Sequence, residues 1–277
     1  MKVSVIIPIY NAAPYIAATL QSLQCQTLSD FEVLLVDDHG QDNSVEVSRR
    51  QIGEDARFRF LETPANAGPG IARNVGIASA LGEYIAFLDS DDFWEPDFLE
   101  RLYHATENNS HPIDLCYCQL KYKGGKHDGQ IHRNPVVESG RFTPESKKHF
   151  LSHFVTFSVC FLYRREFLQK NQLLFPDNRN SEDTNFLIRC LLLAETIACV
   201  DAPLYIYNIR EESLTTGHNP KRYKERLTAL NTLMREFFKL KSDSRYASLH
   251  LGQYTPVMCL LWLKKGLAQS ILELVRK

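Results

Sequence analysis

Three aspartates follow directly after a short apolar run in the first third of the chain. The run covers residues 84–88, and the aspartates are Asp89, Asp91 and Asp92. Such a run is typical of a strand buried in a sheet. Residues two apart in an extended chain point to the same side, so Asp89 and Asp91 can share one cation, for which Mg²⁺ or Mn²⁺ is suited to carboxylate oxygens. The alternative is a solvated acidic turn before the helix that begins near Pro96.

Charged residues at two other places in the chain are candidates for binding a phosphate or accepting a proton. Arg73 follows a Gly/Pro-rich cluster at residues 66–70, and its guanidinium can donate to a phosphate oxygen or form a surface ion pair. Glu182 and Asp183 stand at the start of a predicted helix, after the N-cap candidate Ser181. The helix dipole favours an ionised carboxylate there, which can accept a proton, although helix stability alone also favours acids at this position.

Alternating strands and helices must position these residues. Strands are predicted at residues 3–7, 31–36, 58–61 and 84–88, and helices after Pro14, from Ser44 and at 71–81. The first strand is expected to stop at Pro8, which has no N–H for a ladder. This alternation predicts a parallel sheet with right-handed crossovers.

Ligands of such sheets bind beyond the carboxyl ends of the strands. The polar loops that follow the predicted strands should therefore meet at one crevice. These loops are residues 8–11, 37–38, 66–73 and 89–92. The Gly/Pro-rich cluster matches neither a dinucleotide fingerprint nor a P-loop, so those two classes of nucleotide site are not favoured.

The pattern is looser after Trp94. We predict strands at residues 113–123, 159–163, 197–200 and 204–207, a flexible turn at 124–129, a helix from 182, and helices at 221–241 and 246–276. The last of these segments mixes apolar and basic residues from position 257 onward. It can lie on an anionic membrane surface or pack on its own domain.

The composition is that of a folded globular protein. The 277 residues are 44% hydrophobic and 23% charged, and Lys plus Arg (32) nearly balances Asp plus Glu (33). No global charge therefore favours nucleic acid as a partner. The N-terminus enters a strand without a signal-peptide pattern, and no uncharged apolar run reaches the roughly 18 residues of a membrane span. We expect a cytoplasmic protein.

Five stretches occur in an order that resembles one enzyme family. They are residues 3–11, 31–38, 66–74, 82–92 and 181–183. Together they resemble a family-two glycosyltransferase with the GT-A fold. The resemblance implies an α/β fold with a mainly parallel, Rossmann-type sheet flanked by helices. It also implies a catalytic domain at 1–215, with a nucleotide-binding half (1–105) and an acceptor-binding half (106–215), and a C-terminal helical extension at 216–277.

The same resemblance implies roles for individual residues on the donor side. Pro8, Tyr10 and Asp38 would line the nucleoside pocket, with Asp38 accepting a hydrogen bond from a uracil-type N–H. Arg73 would face the base or the diphosphate, and Ser90 would contact the donor.

Metal binding and catalysis are implied in the same way. Asp91 would be the main ligand of Mn²⁺ or Mg²⁺, with Asp89 as a second ligand near the sugar and Asp92 in support. Asp183 would be the general base that deprotonates an acceptor hydroxyl, so the configuration at the anomeric carbon would be inverted.

One stretch departs from the family pattern. Members often carry Tyr-Arg-x-His-x-x-Ser after the last core strand, whereas residues 207–213 of this chain place Asn208 and Arg210 at the two basic positions. Arg210 cannot ligate a metal as His does, but it can neutralise a diphosphate as a loop closes. A solvated pair with a neighbouring glutamate is the alternative.

The expected partners are a nucleoside-diphosphate sugar, with UDP favoured, and a glycan or lipid-linked glycan acceptor at the inner face of the cell membrane. Two other functions stay open. A sugar nucleotidyltransferase usually has a Gly-rich loop after the first strand, where this chain has residues 8–11. A non-catalytic nucleotide- or carbohydrate-binding protein would need no base.

Overall fold

The computed structural model of the protein describes residues 1–107, 109–154, 157–177, 182–209 and 220–261. Ten strands within these ranges form one sheet. The strands are β1 (Val3–Ile9), β2 (Phe31–Asp37), β3 (Phe58–Glu62), β4 (Tyr84–Phe87), β5 (Phe93–Trp94), β6 (Leu115–Lys123), β7 (Ile131–His132), β8 (Gly140–Arg141), β9 (Phe161–Arg164) and β10 (Thr196–Asn208). Their order is β3-β2-β1-β4-β9-β6-β10-β5, with β7 beside β6 and β8 beside β10.

Helices connect and flank these strands. They are α1 (Ile16–Gln24), α2 (Ser44–Ile52), α3 (Pro69–Ser79), α4 (Phe98–Thr106), α5 (Pro144–His153), α6 (Arg165–Lys170), α7 (Glu182–Leu193) and α8 (Pro220–Ser242). The fold is therefore α/β with a central sheet flanked by helices, as the sequence predicted. Helices α5 and α6 had no counterpart among the predicted elements.

The orientation of the strands decides which loops can meet. Strands β1 to β4 run parallel in the first half, and β6 is parallel to β10 in the second. Strand β9 lies antiparallel between β4 and β6, so β4 and β6 point the same way. The carboxyl ends of β1, β2, β4, β6 and β10 consequently share one edge of the sheet, where the sequence placed the crevice.

The predicted end of the first strand is wrong by two residues. Strand β1 continues through Pro8, which pairs with Val36, to Ile9. The Ile6 carbonyl accepts from Leu88 on the β4 side, and the Ile9 carbonyl accepts from Asp38 on the β2 side. Because backbone groups alternate in direction along a strand, the nitrogen of Pro8 faces β4, whose pairing has already ended. The missing N–H therefore costs no ladder bond.

The two strands predicted at 197–200 and 204–207 are one strand. Strand β10 is continuous, and its register against β6 shifts between Val200 and Pro203 and again before Tyr205. Such a shift is a bulge, which bends a strand without ending it. The polar break in the sequence is this bulge and not a turn.

The C-terminal prediction is correct for its first helix, whereas the second helix begins later than predicted. Helix α8 matches the helix predicted at 221–241. The segment predicted from 246 instead begins as two 3₁₀ turns, Ser244–Leu249 and Leu251–Tyr254. His250 between them has a φ of 46°, which a continuous α-helix does not permit. Residues 255–261 are α-helical, and the rest of the predicted helix lies outside the described residues.

The described part of this extension packs on its own domain. Phe237 and Met258 are fully buried, and Leu233 and Leu261 nearly so. In the described ranges we find no helix with both the length and the apolar character that a bilayer crossing needs.

Candidate active site

The acidic loop, residues 89–92, is held in place from both sides. The carbonyl of Ser90 accepts a hydrogen bond from the Thr19 hydroxyl of α1 (3.0 Å), and the carbonyl of Asp91 accepts from the Asn208 amide at the end of β10 (3.2 Å). Fixing the backbone in this way leaves the side chains of Asp89 and Asp91 partly exposed at the strand edge.

Asp92 differs from the other two aspartates because it is only 1% exposed. Its carboxylate accepts from the Tyr205 hydroxyl at 2.6 Å and from the Asn208 N–H at 2.8 Å. Burial, together with the charges of Asp89 and Asp91, raises the pKa of Asp92 well above its usual range. Asp92 therefore anchors the acidic loop to β10.

Arg73 connects the acidic loop to the start of α7. It is 5% exposed, its Nη2 lies 2.6 Å from Asp89 Oδ1, and its Nη1 lies 3.5 Å from Glu182 Oε1. Its guanidinium also lies 5.2 Å from the centre of the Phe175 ring. Burial opposes the charge, but Asp89 and Glu182 outweigh it, so the pKa of Arg73 is raised. The surface ion pair that the sequence left open is thus a buried one.

The Gly/Pro-rich cluster lets α3 and α7 approach closely. Gly68 has a φ of 91°, which disfavours any other residue, and Pro69 occupies the first helical position of α3. A Cβ on Gly70 would lie 3.1 Å from Glu182 Cγ and 3.3 Å from Phe175 Cβ. Burial raises the pKa of Glu182, while Arg73 lowers it. A side chain at Gly70 would push apart the helices that carry this ion pair.

Asp183 lies in the first turn of α7, next to Glu182. Its carboxylate is partly exposed, and its Oδ1 accepts from the N–H of Thr184 at 2.7 Å. Arg73 pairs with Asp89 and with Glu182, so the acidic loop and this turn, two predicted site regions that are distant in the sequence, lie on either side of one guanidinium. Ser181 and Arg210 lie outside the described residues.

The predicted nucleoside-pocket residues have unequal exposure. Asp38 is 2% exposed, and its carboxylate accepts from the Thr63 hydroxyl (2.9 Å) and from the N–H groups of Ala67 and Gly68 (both 2.8 Å). It thereby shapes the loop before α3, and its contact with a base stays a prediction. Pro8 is buried within β1, whereas Tyr10 is 49% exposed at the sheet edge.

The loops after β1 and β2 are joined by side-chain hydrogen bonds. Asn11 Oδ1 accepts from the N–H of Gln41 at 2.8 Å, and Asp42 Oδ2 accepts from the N–H of Ala13 at 2.9 Å. A Cβ on Gly40 would lie 2.8 Å from the Asn11 nitrogen, so only glycine permits this approach. These contacts hold together the two loops beside Tyr10.

The donor set suits a hard divalent cation that is shared with a substrate. Asp89 and Asp91 each present a partly exposed carboxylate, and oxygen ligands are those of Mg²⁺ and Mn²⁺. Among the described residues no three acidic, His or Cys side chains are grouped to hold a metal ion by themselves. Mg²⁺ commonly takes one or two carboxylates and fills its other positions with water and phosphate oxygens. The two aspartates fit that arrangement.

Sequence reasoning missed the residues that hold the site together. Glu182 pairs with Arg73, Tyr205 with Asp92, and Asn208 with Asp91 and Asp92. Each pair joins residues more than a hundred positions apart, so no local pattern reveals it. Glu182 had a sequence signal, because it adjoins Asp183 at a helix start, and Asn208 was noted only as a departure from the family pattern.

The α/β sheet, with its polar loops gathered at one edge, is that of a glycosyltransferase with the GT-A fold. The sequence profile of Glycosyl transferase family 2 matches residues 4–171. The chain belongs to this family, which confirms the resemblance read from the five stretches.

Individual relatives agree with this assignment. The chain is 34% identical over 240 residues to the uncharacterized glycosyltransferase EpsJ of Bacillus subtilis, covering 83% of this chain and 70% of the relative. It is 30% identical over 217 residues to the poly(ribitol-phosphate) beta-glucosyltransferase of Bacillus spizizenii, covering 76% of this chain and 33% of that protein. Residues 1–349 of S. aureus TarS, solved with UDP, superpose with a TM-score of 0.68 and 25% identity over 88% of this chain and 67% of that one.

Proposed function

We propose that the protein transfers a sugar from a UDP-sugar to a hydroxyl group of a glycan or glycolipid acceptor, with inversion at the anomeric carbon. The observation that carries this proposal is the Arg73 ion pair, which joins the acidic loop to the helix start that bears Asp183. A donor diphosphate beside Asp89 and Asp91 would then lie next to a group able to accept a proton.

The nucleotide assignment draws on the similar proteins as well as on the site. The TarS fragment described above was solved with UDP, and in this chain the exposed ring of Tyr10 is available to contact a base at the same edge as Asp38. The name of the poly(ribitol-phosphate) beta-glucosyltransferase supports an acceptor that belongs to a cell-surface polymer.

In this mechanism Asp183 accepts the proton of the acceptor hydroxyl while its oxygen attacks the anomeric carbon. The bond to the departing UDP breaks on the opposite side, so no covalent enzyme intermediate forms. Asp89 and Asp91 would hold a divalent cation, which supplies charge neutralisation to the leaving diphosphate. Arg73 keeps Asp89 oriented, and Asp92 keeps the loop in place.

The test measures UDP release from a panel of UDP-sugars with Mn²⁺ or Mg²⁺ and after chelation. Asp91→Ala should lower release at least about 100-fold, because a carboxylate ligand is lost. Asp183→Asn should bind UDP as the parent does but lose about 10²- to 10⁴-fold in transfer, the usual contribution of a general base. Asp177→Asn removes an exposed carboxylate and serves as the matched control.

Two results would contradict the proposal. Unchanged UDP release by Asp91→Ala would remove the metal assignment. Transfer by Asp183→Asn at the parental rate would place the base elsewhere. Pyrophosphate production from a nucleoside triphosphate and a sugar phosphate would instead support a nucleotidyltransferase.

A further inference from the structure

Four aromatic rings form a continuous patch at the end of β6 and β10. We call Tyr122, His132, Phe157 and Tyr207 the aromatic patch. Each ring contacts two others in a closed circuit, with centroid distances of 5.7 Å (Tyr122 to Tyr207), 5.6 Å (Tyr207 to Phe157), 6.2 Å (Phe157 to His132) and 6.0 Å (His132 to Tyr122). None of the four residues is buried, and His132 is exposed. The patch therefore presents ring surface to solvent.

The patch adjoins the acidic loop. Tyr122 and Tyr207 are paired in register, and Tyr207 follows Tyr205 by two residues on the same face of β10. The hydroxyl of Tyr205 bonds Asp92, so Tyr207 lies about 7 Å further along the strand from that anchor. Asn208, the next residue, bonds the Asp91 carbonyl.

The patch also adjoins the helix that carries Asp183. Phe157 leads directly into the 3₁₀ turn Ser158–Cys160, which packs against both β4 and α7. A molecule on the patch would thus lie beside the acidic loop, next to a turn that packs on the helix with the proposed base. No predicted donor contact falls on these four residues.

The chemistry of the patch fits a sugar ring. Aromatic faces pack against apolar C–H surface, while Tyr and His add polar atoms at the rim. Tyr122 Oη lies 3.0 Å from His132 Nδ1, and burial lowers the pKa of His132. Because Nδ1 is engaged with Tyr122, a neutral imidazole leaves Nε2 for one hydrogen bond with a sugar hydroxyl group. A cage for a quaternary ammonium would need rings around an open space, whereas these rings contact each other.

We propose that the aromatic patch binds a pyranose ring of the acceptor and directs one of its hydroxyl groups toward the acidic loop. The inference rests on the proposed function, since it names the acceptor subsite of that transfer. It assigns the specificity for the acceptor to Tyr122, His132, Phe157 and Tyr207, which are separate from the predicted donor contacts.

The experiment records saturation-transfer NMR from the aromatic protons of the protein to methyl glucopyranoside, galactopyranoside and N-acetylglucosaminide, with and without UDP. We expect transfer to the ring C–H protons of at least one glycoside. Phe157→Leu keeps apolar volume without a ring and should reduce the transfer at least threefold, whereas Phe157→Tyr should retain it. Phe238→Leu removes a 47% exposed ring on α8 and should match the parent.

Kinetic measurements distinguish the stacking of Phe157 on the acceptor sugar from the packing of Phe157 within the protein. With the best glycoside as acceptor, Phe157→Leu should raise the acceptor KM about tenfold, with kcat changed less than threefold, and Phe157→Tyr should restore the KM. A thermal midpoint of Phe157→Leu close to that of the parent would exclude simple unfolding as the cause.

Three outcomes would overturn the inference. They are glycoside binding by Phe157→Leu equal to that of the parent, no glycoside binding by the parent, and displacement of the glycoside by tetramethylammonium. Failure of the proposed function would be distinguishable, because the parent would then bind no UDP while the glycoside signal recorded without UDP would persist.

Discussion

Polar side chains form different hydrogen bonds in the two halves of the sheet edge, residues 1–105 and residues 106–215. In the first half, the side chains of Asp38, Asp42 and Asn74 bond backbone groups of neighbouring loops. In the second half, the amide of Asn185 and the hydroxyl of Ser158 are buried without a hydrogen-bond partner among the described residues. Buried polar groups are normally satisfied. Among the described residues the first half also has two unpartnered buried atoms, Arg73 Nε and Trp94 Nε1. Each of these is a single N–H donor, whereas the second half leaves a complete side-chain amide and a hydroxyl group without a partner in the described ranges.

This difference indicates how the site is divided. Under the proposed function, a half in which Asp38, Asp42 and Asn74 bond backbone groups of neighbouring loops suits a constant ligand such as a nucleotide. A half with aromatic surface and unused polar atoms offers recognition that can vary between family members. Substitutions at matched positions test whether the contrast is real.

The largest effect is expected at Asp38. Asp38→Ala removes three hydrogen bonds at a buried position and leaves two backbone N–H groups without a partner, which should lower the free energy of unfolding by about 3 kcal/mol. Asp37→Ala removes one bond, from the N–H of His39, and should cost less than about 1 kcal/mol. Urea denaturation of both variants measures this. Equal losses of stability in the two variants would mean that the three hydrogen bonds of Asp38 contribute no more than the single bond of Asp37.

A matched pair of asparagines compares the two halves directly. The Asn74 amide bonds both the N–H and the carbonyl of Phe175, so Asn74→Leu should destabilise the protein by about 2 kcal/mol. Asn185→Leu removes a 2% exposed amide that has no hydrogen-bond partner in the described part of the chain, so the change should be neutral or slightly stabilising. If the order were reversed in denaturation experiments, the contrast between the halves would be wrong.

Lys147 is a satisfied group within the second half. Its Nζ donates to the carbonyls of Leu192 (2.9 Å) and Ala194 (2.8 Å) at the end of α7. At pH 7, Lys147→Met should cost about 1 kcal/mol because these carbonyls lose their donor.

The pH dependence of that cost has a definite sign. Burial lowers the pKa of Lys147 from 10.5 to about 8, against the charges of Glu195 and Asp114. Between these values the unfolded chain binds more protons than the folded one, so the stability of the parent relative to Lys147→Met should rise with pH from about 8 to 10.5. If the difference in the free energy of unfolding between the parent and Lys147→Met did not change over this pH range, the lowered pKa of Lys147 would be refuted.

The smallest effect is expected at Ser158. Ser158→Ala removes a 1% exposed hydroxyl to which no described residue is hydrogen-bonded, so the free energy of unfolding should change by less than about 0.5 kcal/mol. Thr63→Ala is the contrasting variant in the first half, because its hydroxyl bonds Asp38, and should cost about 1 kcal/mol. Thermal unfolding of Ser158→Ala and Thr63→Ala, each compared with the parent, measures these two changes in stability.

The sequence by itself determined the alternating strands and helices of the first hundred residues, the edge at which their loops meet, and the family. These features depend on local periodicity and on motifs such as the Gly/Pro-rich cluster. It also located the acidic loop and the helix start with Asp183, since both are contiguous stretches. The bulge in β10 and the course of β1 through Pro8 escaped it because each depends on which neighbour a strand pairs with.

Only the tertiary structure decided how these parts are joined. It gave Arg73 its two carboxylates, gave Asp92 its anchor on Tyr205, and brought Tyr122, His132, Phe157 and Tyr207 into one patch. The physical reason is that most of these contacts link residues far apart in the chain, and their partners follow from the order and direction of the strands. Residue type can indicate that a side chain needs a partner, but the packed sheet selects which partner it meets.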